Sequence, residues 1–459
     1  MATKVFNRTI LKDLQAWKTS SQHKPLVLRG ARQVGKTTVV KQFGQSFNTF
    51  VYLNLELPAD SRLFDGQLSP ESTLQRIFLE KKVQRSGHTL LFIDEIQHSP
   101  AAVAMLRYFY EQFPDLYVIS AGSLLEIMMD THKISFPVGR VEYRYLFPMS
   151  FDEFLASMGE EDALNLLGTI PVPEWALNRL FELFHLYALI GGMPEVLDHY
   201  RNTPDVSALV PVFQGLLTAY TDDVSKYARN ATEVTVIRQV IESAAYEAGK
   251  RIAFEHFGNS AFKSREVGNA LRNLERAMLL YLRYPTTAIQ PPLIPDLKRR
   301  PRLQMVDTGL LNYAAGLQAQ YFGVQDLNAL YKGILTEHIV AQELMATNSA
   351  FLKKPDFWVR ELKQSQAEVD FLIPWKTALV PVEVKSGKTG TMRSLHSFID
   401  SSGYTTAVRL YAGKPLWQSA KTPAGTPYRL LNLPYFLASR IQDYLAMEAL
   451  DTHKTSSYQ

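Results

Sequence analysis

The chain lacks cysteine entirely among its 459 residues. Disulfide bonds, thiolate zinc sites and cysteine nucleophiles are therefore excluded. A chain without cysteine suits a reducing compartment, and we predict a cytoplasmic protein. The sequence also lacks an apolar run of the ~18 residues that a membrane-spanning helix needs. Its charged N-terminal segment does not resemble a signal peptide, so we expect no membrane partner.

An excess of charge of one sign is missing as well, since the formal net charge is only +4. Composition alone therefore neither requires nor excludes a nucleic-acid partner, and the argument depends on local clusters of basic residues. The ten histidines show no spacing typical of metal ligands. With 46% hydrophobic residues, the chain is long enough for two to four globular domains.

The most informative segment is an apolar strand, residues 26–29, that leads into a Gly-x-x-x-x-Gly-Lys-Thr loop and then a helix. The glycines let backbone N–H groups surround phosphates, and the helix N-terminus adds partial positive charge. Lys36 can reach the β- and γ-phosphates of ATP, and the Thr37 hydroxyl can hold Mg²⁺. The alternative is a glycine turn without a ligand. The predicted nucleotide-binding residues are Gly30, Ala31, Arg32, Gln33, Val34, Gly35, Lys36, Thr37 and Thr38.

Strands and helices alternate beyond this loop, which predicts an α/β domain with a parallel sheet flanked by helices. A strongly apolar strand, residues 89–93, is followed by Asp94 and Glu95. Ligands of such sheets gather at the carboxyl ends of the strands. We therefore predict that Asp94 holds Mg²⁺ and that Glu95 polarises the water that attacks the γ-phosphate. The alternative is a surface acidic pair that ends a strand.

Two more residues are candidates for the same site. Ser123 follows another apolar strand and has a hydroxyl that can position the attacking water. Arg140, with Arg144 behind it, precedes a final strand and can supply a guanidinium to a neighbouring subunit. The alternatives are an ordinary Ser/Gly turn and a surface arginine. A trans-acting arginine predicts a homo-oligomer, for example a hexameric ring.

The motifs together resemble a family of prokaryotic AAA-type ATPases. The C-terminal half of these proteins is a domain of unknown function with a winged helix and a nuclease-like end. The resemblance covers about residues 5–437. It rests on the Gly30–Thr37 loop, Asp94-Glu95, Gly122-Ser123, Gly139-Arg140, Phe147–Phe154, Ile190–Glu195, Val306–Leu311 and Gly333–Glu337.

The resemblance and the residue patterns imply five segments. They are an AAA-type P-loop ATPase core (1–149), a helical lid (150–229), a winged-helix domain (230–318), a restriction-endonuclease-like α/β domain (319–445) and a disordered tail (446–459). Within these segments, Ser150 and Glu153 form the pattern of a capping box. Asp222 and Asp223 are interpreted as a solvated helix end rather than a metal pair.

A helix predicted from Ser264 to about Tyr281 has two different faces. Its apolar residues recur with helical spacing, and basic or amide residues repeat about 200° away. A helix of this kind suits contact with phosphates and base edges in DNA. Residues 279–284 and 302–306 are predicted to form a wing beside it. The alternative is a solvated face on a protein-packing module. The candidate DNA-binding residues are Arg265, Asn269, Arg272, Arg276, Lys298, Arg299 and Arg300.

The last segment predicts a helix that carries Glu337 and a hairpin in which Asp370 faces Glu383 and Lys385. This arrangement is similar to that of restriction endonucleases and Holliday-junction resolvases. The resemblance implies that Asp370 and Glu383 bind Mg²⁺, supported by Glu337, while Lys385 orients water. The alternative is an inert or DNA-holding remnant, because Val369 replaces a proline often found before the aspartate.

Two classes of function remain open at this stage. The first is an ATP-hydrolysing motor or clamp that binds DNA and is coupled to a Mg²⁺-dependent nuclease-like domain acting on duplex or branched DNA. The second is an ATP-controlled regulatory or defence switch whose nuclease-like domain is inert and binds a protein partner. ATP and Mg²⁺ are the cofactors expected in both classes. DNA-stimulated hydrolysis with a steep salt dependence would favour the first.

Overall fold

The computed structural model describes residues 6–66, 68–122, 125, 136–225, 228, 230–317, 334–362, 365–385, 387 and 392–447. Ser123 and the predicted tail from residue 448 onward lie outside the described residues. In the described ranges, no single helix has both the length and the apolarity to cross a membrane. One sharply bent pair, Glu174–Ile190 with Pro194–Asn202, meets that test by length and composition.

The first part of the chain forms a parallel sheet of five described strands in the order β2-β3-β4-β1-β5. Central β3 is buried along its whole length, as its apolar sequence requires between two helical layers. The predicted parallel sheet flanked by helices is therefore confirmed. The strands are β1 Leu26–Arg29, β2 Thr49–Asn54, β3 Thr89–Asp94, β4 Leu116–Ala121 and β5 Glu142–Tyr145.

The helices around this sheet begin at recognisable signals. Ser69 and Ser99 accept hydrogen bonds from backbone N–H groups in the first turns of α4 and α5, and each is followed by proline. These caps fix where the two helices start and hence where β3 and β4 enter the sheet. The helices are α1 Ile10–Thr19, α2 Lys36–Gly44, α3 Pro58–Ser61, α4 Pro70–Glu80 and α5 Pro100–Gln112.

A helical segment follows the sheet, and its first helix begins with the predicted capping box. Ser150 Oγ accepts from the Glu153 N–H at 3.4 Å, and Glu153 Oε2 accepts from the Ser150 N–H at 3.2 Å. Gly191 ends α8 with φ of +77°, and a Cβ there would lie 2.1 Å from Asp307 Oδ1. The helices are α6 Phe151–Met158, α7 Glu161–Leu167, α8 Leu177–Ile190, α9 Pro194–Asn202 and α10 Val210–Ser225.

The third part combines helices with a two-stranded antiparallel sheet, β6 with β7. The helix predicted to reach Tyr281 ends at Arg276, so its C-terminal boundary was wrong. Met278 has φ of +58°, and the residues after it pair with β7 as a strand buried along its whole length. The elements are α11 Ala231–Glu247, α12 Ser264–Arg276, β6 Leu280–Arg283, β7 Arg302–Met305 and α13 Thr308–Ala314.

The last part is a mixed sheet of six described strands in the order β12-β13-β11-β10-β9-β8, packed with helices that include a 3-10 helix at Tyr435–Arg440. The hairpin expected around residues 375–377 joins β9 to β10, and Lys376 takes φ of +53° in its turn. The elements are α14 Ile334–Ala346, β8 Asp356–Leu362, β9 Ser365–Trp375, β10 Ala378–Val384, α15 Arg393–Ser402, β11 Thr406–Tyr411, β12 Leu416–Lys421 and β13 Pro427–Pro434.

One large apolar cluster joins these parts, while smaller clusters lie within the ATPase core and the terminal sheet. The largest cluster of buried side chains runs from Ile10 in α1, through the helical segment, to Tyr444. The Val172 N–H donates to the Tyr444 hydroxyl at 2.9 Å, so the end of the described chain packs against its middle. Displacement of one part therefore disturbs packing in the others.

Candidate functional site

The glycine-rich loop lies at the carboxyl edge of the parallel sheet, directly after β1. Gly35 has φ of +96°, which glycine adopts without strain. A Cβ on Gly30 would lie 2.4 Å from the Leu146 carbonyl oxygen. Both glycines are thus required by the geometry, and the loop leads directly into α2, whose N-terminus faces the same edge.

Lys36 is folded back over the loop. Its Nζ donates to the carbonyl oxygens of Gly30 at 2.9 Å and Ala31 at 2.8 Å. The side chain is 7% exposed, and burial lowers the pKa of Lys36 to about 8. The ammonium therefore sits where phosphate oxygens can replace two backbone carbonyls as its acceptors.

Thr37 and Asp94 meet across two neighbouring elements, α2 and β3. Thr37 Oγ1 donates to Asp94 Oδ2 at 2.7 Å, and the Tyr52 hydroxyl approaches the same oxygen at 3.3 Å. Burial raises the pKa of Asp94. A threonine hydroxyl beside a carboxylate is a donor set that fits Mg²⁺, which prefers oxygen ligands. Tyr52 has no motif signal, and only the pairing of β2 with β3 places it here.

Glu95 adopts a left-handed conformation, φ of +51°, which turns its side chain away from the line of β3. Gln97 Nε2 donates to Glu95 Oε2 at 2.5 Å. The Gln97 Oε1 atom lies 2.1 Å from the position that a Cβ on Gly122 would occupy. Gln97 thus links the predicted catalytic acid to the end of β4, where the predicted Ser123 follows outside the described residues.

Arg8 is a second residue that motif analysis missed. It is 6% exposed, and its guanidinium donates to Val34 O in the loop at 2.8 Å and to Phe147 O at 2.7 Å. Its Nε lies 3.0 Å from Glu153 Oε2. A buried arginine therefore connects the phosphate loop to the capping box that starts α6.

The helical segment also contacts the loop through α10. The Tyr220 hydroxyl donates to the Arg32 carbonyl oxygen at 2.7 Å, and the Arg32 guanidinium pairs with Asp223. Asp223 is 5% exposed, so the expectation of a solvated helix end was wrong for this residue. The pairing was hidden from sequence analysis because 191 residues separate the two partners.

Arg140 lies at the opposite edge of the sheet from its own loop, because it precedes β5 while the loop follows parallel β1. Its Nε donates to Glu111 Oε1 at 2.9 Å, near the end of α5. Arg144, in β5 itself, donates to the neighbouring Tyr143 carbonyl. Neither guanidinium contacts the chain's own phosphate loop in this structure.

The faces of α12 are divided as the periodicity indicates. The apolar residues Val267, Leu271, Leu274 and Met278 are buried. The four candidate DNA-binding residues on the helix, Arg265, Asn269, Arg272 and Arg276, are exposed. Lys298 and Arg300, in the loop between β6 and β7, are exposed too, whereas Arg299 is half-buried and pairs with Asp296 at 2.9 Å and with Glu361.

The predicted nuclease residues come together on β9, β10 and α14. Asp370 Oδ2 accepts from the Val384 N–H at 2.9 Å, and Lys385 Nζ lies 2.6 Å from Glu383 Oε1. Burial, with the Asp370 carboxylate as a second cause, raises the pKa of Glu383 to about 7. The third acid, Glu337, approaches from α14.

An arginine lies among these acids. Arg302 of β7 pairs with Glu337, donates to Glu368 Oε1 at 2.6 Å and lies 3.3 Å from Asp370 Oδ1. The described residues contain no group of three or more His, Asp or Glu side chains arranged to hold a metal ion. As arranged, Glu337, Asp370 and Glu383 do not fit a bound divalent cation.

Comparisons with known proteins assign the first part of the chain to a class. The model of the AAA domain family AAA_14 matches residues 22–155, the range that contains the loop and the Asp94-Glu95 pair. The chain thus carries an AAA-type ATPase domain. Two domains of unknown function, DUF8612 and DUF4143, match residues 181–321 and 332–418. No curated protein matches the chain.

Two solved structures give weak likenesses. One is the Walker-type ATPase paby2304 of Pyrococcus abyssi, with 16% identity over 68% of this chain and 96% of that one, at a TM-score of 0.46. The other is the ORC2 protein of Aeropyrum pernix in its ADPNP–ADP complexes, with 11% identity over 71% and 98%, at a TM-score of 0.28. At these scores the assignment rests on the AAA-domain match and on the geometry of the loop.

Proposed function

We propose that the protein binds ATP with Mg²⁺ at the loop of residues 30–38 and hydrolyses it. The observation that carries this proposal is the 2.7 Å contact between Thr37 Oγ1 and Asp94 Oδ2. It places the loop hydroxyl beside the acid at the end of the central strand, and Glu95 is the next residue. A phosphate cradle, a pair of cation ligands and a general base then converge at one edge of the sheet.

Each residue has a defined task in this proposal. Lys36 exchanges its two carbonyl acceptors for β- and γ-phosphate oxygens, while Thr37 and Asp94 hold Mg²⁺, which neutralises charge on those phosphates. Glu95 accepts a proton from water as the water oxygen bonds to the γ-phosphorus. The bond from that phosphorus to the bridging oxygen then breaks and leaves ADP and inorganic phosphate. Ser123, next to Gly122, is proposed to position the water.

ATP turnover by matched variants tests this proposal. Lys36→Ala should lose nucleotide binding, whereas Lys421→Ala, which removes an exposed lysine from β12, should behave as the wild type. Glu95→Gln should retain binding and lose roughly 10²–10⁴-fold in turnover, the usual contribution of a general base. Its control is Glu80→Gln at an exposed position of α4. Unchanged turnover in Lys36→Ala would refute the assignment.

We further propose that Arg140 acts on the nucleotide of a neighbouring subunit in a homo-oligomer. Its place at the edge opposite its own loop supports a trans arrangement, since a guanidinium there is remote from its own phosphate site but accessible to another chain. The exposed Arg140–Glu111 pair is weak enough to be exchanged for a phosphate. The number of subunits in the ring stays a prediction.

For the middle of the chain we propose DNA binding by α12 and the β6–β7 loop. The support is the row of exposed Arg265, Asn269, Arg272 and Arg276 over a fully buried opposite face. Each phosphate contact with duplex DNA contributes about −0.9 to the slope of log affinity against log salt concentration. Replacing the three arginines by alanine should therefore reduce the slope by about three if all three contact phosphates.

The control for that experiment is Arg76→Ala, an exposed arginine on α4 of the ATPase core. Its DNA affinity and salt slope should equal those of the wild type. Equal slopes in the wild type and the triple variant would exclude α12 as the DNA-binding surface.

Stimulation of ATP turnover by protein and not by DNA would favour the alternative, an ATP-controlled switch with an inert nuclease-like domain. The position of Arg302 among the acids favours that inert domain.

The five predicted segments, 1–149, 150–229, 230–318, 319–445 and 446–459, are kept as a proposed functional division. The first contains the loop and the acid pair, and the third contains the proposed DNA surface. Because the buried core is continuous across the first four, we do not expect them to fold separately.

A further inference from the structure

We infer that Arg302 takes the place of a divalent cation in the terminal domain, so that its acidic cluster is an ion-pair joint to the β6–β7 sheet and not a metal centre. The acidic cluster is defined as Glu337, Glu368, Asp370 and Glu383. This inference goes beyond ATP hydrolysis and is independent of it. The nuclease-like sequence pattern implies a bound Mg²⁺ at this place. We infer that the Arg302 side chain provides the positive charge there instead.

The first observation is the set of contacts made by one guanidinium. Arg302 reaches Glu337 on α14 and both Glu368 and Asp370 on β9, and its side chain is 9% exposed. A guanidinium has five N–H donors in a fixed plane. It therefore satisfies three carboxylates at once, which is what a bound cation would otherwise do.

The second observation is the overall balance of charge. Arg283, 2% exposed, lies 3.8 Å from Glu337 Oε1 and donates to the Asp370 carbonyl oxygen at 3.2 Å. Lys385 pairs with Glu383 at 2.6 Å. Arg251 lies 3.8 Å from Glu368 Oε2. Four cationic side chains thus face the four carboxylates. A divalent ion added here would be repelled by two guanidinium groups that are only 2% and 9% exposed and are therefore weakly screened by solvent.

The third observation is that the strand β7, which carries Arg302, is fixed in place by its neighbours. Arg283 and Arg302 are directly paired residues of β6 and β7. Two and three residues further on, Gln304 Nε2 donates to the His338 carbonyl oxygen at 3.1 Å, and the Met305 N–H donates to His338 Nε2 at 2.9 Å. His338 follows Glu337 in α14. The backbone that carries Arg302 is therefore fixed against α14, which keeps the guanidinium beside Glu337.

The ion-pair joint is also connected to the helices beside the ATPase core. β7 leads within two residues to Asp307, whose Oδ2 accepts from the Gly192 N–H at 2.7 Å between α8 and α9. Met149 in turn donates its N–H to the Gly192 carbonyl at 2.7 Å, next to the start of α6. The acidic cluster thus fixes the terminal domain to a strand that is itself attached to the helices beside the ATPase core.

Binding of Mn²⁺, followed by electron paramagnetic resonance without nucleotide, tests the inference in the full chain. An Asp94→Asn background removes the ATP-site acid. In this background, with protein and Mn²⁺ at equal molar concentrations, we expect no Mn²⁺ bound through Asp370. Arg302→Met, which keeps an unbranched stem and removes the guanidinium, should create one site, and Asp370→Asn should abolish it. Arg299→Met is the matched control, because Arg299 pairs with Asp296 and Glu361 outside the cluster, and it should create none.

Three outcomes would overturn the inference. One is an Mn²⁺ site in the background protein that disappears in Asp370→Asn, a comparison that does not depend on the folding of Arg302→Met. The second is a folded Arg302→Met protein that binds no Mn²⁺. The third is Mg²⁺-dependent cutting of linear or four-way DNA by the wild type that Asp370→Asn abolishes. None of these results bears on ATP turnover, so failure here is distinguishable from failure of the proposed ATPase.

Discussion

Binding of Mg²⁺-ATP should weaken steeply above pH 8 because of one buried lysine. Burial lowers the pKa of Lys36 to about 8. Bound β- and γ-phosphates favour the ammonium form and raise that pKa again. The full affinity is therefore present below pH 8 and is lost as the pH rises through 8, because binding must then take up a proton.

The size of the effect follows from the protonated fraction of Lys36. With a pKa of about 8, that fraction falls from about nine tenths at pH 7 to about one tenth at pH 9, so the dissociation constant should rise about tenfold, or about 1.4 kcal/mol. The nearby Tyr52 does not contribute in this window, since burial raises its pKa to about 12. The phosphates are already ionised, with a last pKa near 6.

Titration calorimetry of the wild-type protein at pH 7, 8 and 9 measures this change with a non-hydrolysable ATP analogue, because the Glu95 carboxylate raises the pKa of Lys36 and must be kept. Two buffers of different ionisation enthalpy would reveal the proton taken up at pH 9. The matched control is Lys36→Arg, whose guanidinium stays charged throughout, so that any affinity it retains should not depend on pH. A wild-type dissociation constant that is equal at pH 7 and pH 9 would refute the reasoning, and so would an equal loss in Lys36→Arg.

Three further predictions concern stability and assembly. Burial raises the pKa of Glu343 to about 8, so the native state keeps a proton that the unfolded chain loses, and the unfolding free energy should fall by up to about 1.4 kcal/mol per pH unit between about 4.5 and 8. Asp307 and Glu383 also have raised pKa values in this window, so Glu343→Gln should make the slope in urea unfolding at pH 5, 6.5 and 8 less steep by the Glu343 contribution, and a slope equal to that of the wild type would contradict it. Gly191→Ala should lower the melting temperature by several degrees, because its Cβ would overlap Asp307 Oδ1 at 2.1 Å; an unchanged melting curve would count against that fit. Mixing Arg140→Ala with Lys36→Ala subunits should restore part of the ATP turnover that each lacks, and complete inactivity of the mixture would argue against a trans arginine.

The ATPase fold was largely predictable because its signals are local. An apolar strand, a glycine-rich loop and a helix start are contiguous between residues 26 and 44, and the Asp94-Glu95 pair directly follows its strand. The hairpin of β9 and β10 was equally local, with a turn of two residues. In each case the residues that matter are neighbours in sequence or are placed by one strand, so periodicity and spacing are enough.

The remaining site residues were not predictable because they act across long separations. Arg8 reaches Glu153, and Arg32 reaches Asp223, through folds of the chain that no short motif encodes. In the sequence, Arg302 was recognised only as one of several basic residues near a proline-rich loop. Only the docking of β7 beside α14 places its guanidinium among the acids, and that docking depends on buried surface from both halves of the protein.

The contact between Val172 and Tyr444 has a consequence for how the protein is made. The two residues are 272 positions apart. At 5–20 residues per second, the ribosome adds the tyrosine roughly 14–54 s after the valine. During that interval the helices around Val172 lack a packing partner and expose apolar surface to other nascent chains. The helices around Val172 can therefore complete their packing only after Tyr444 has left the ribosome.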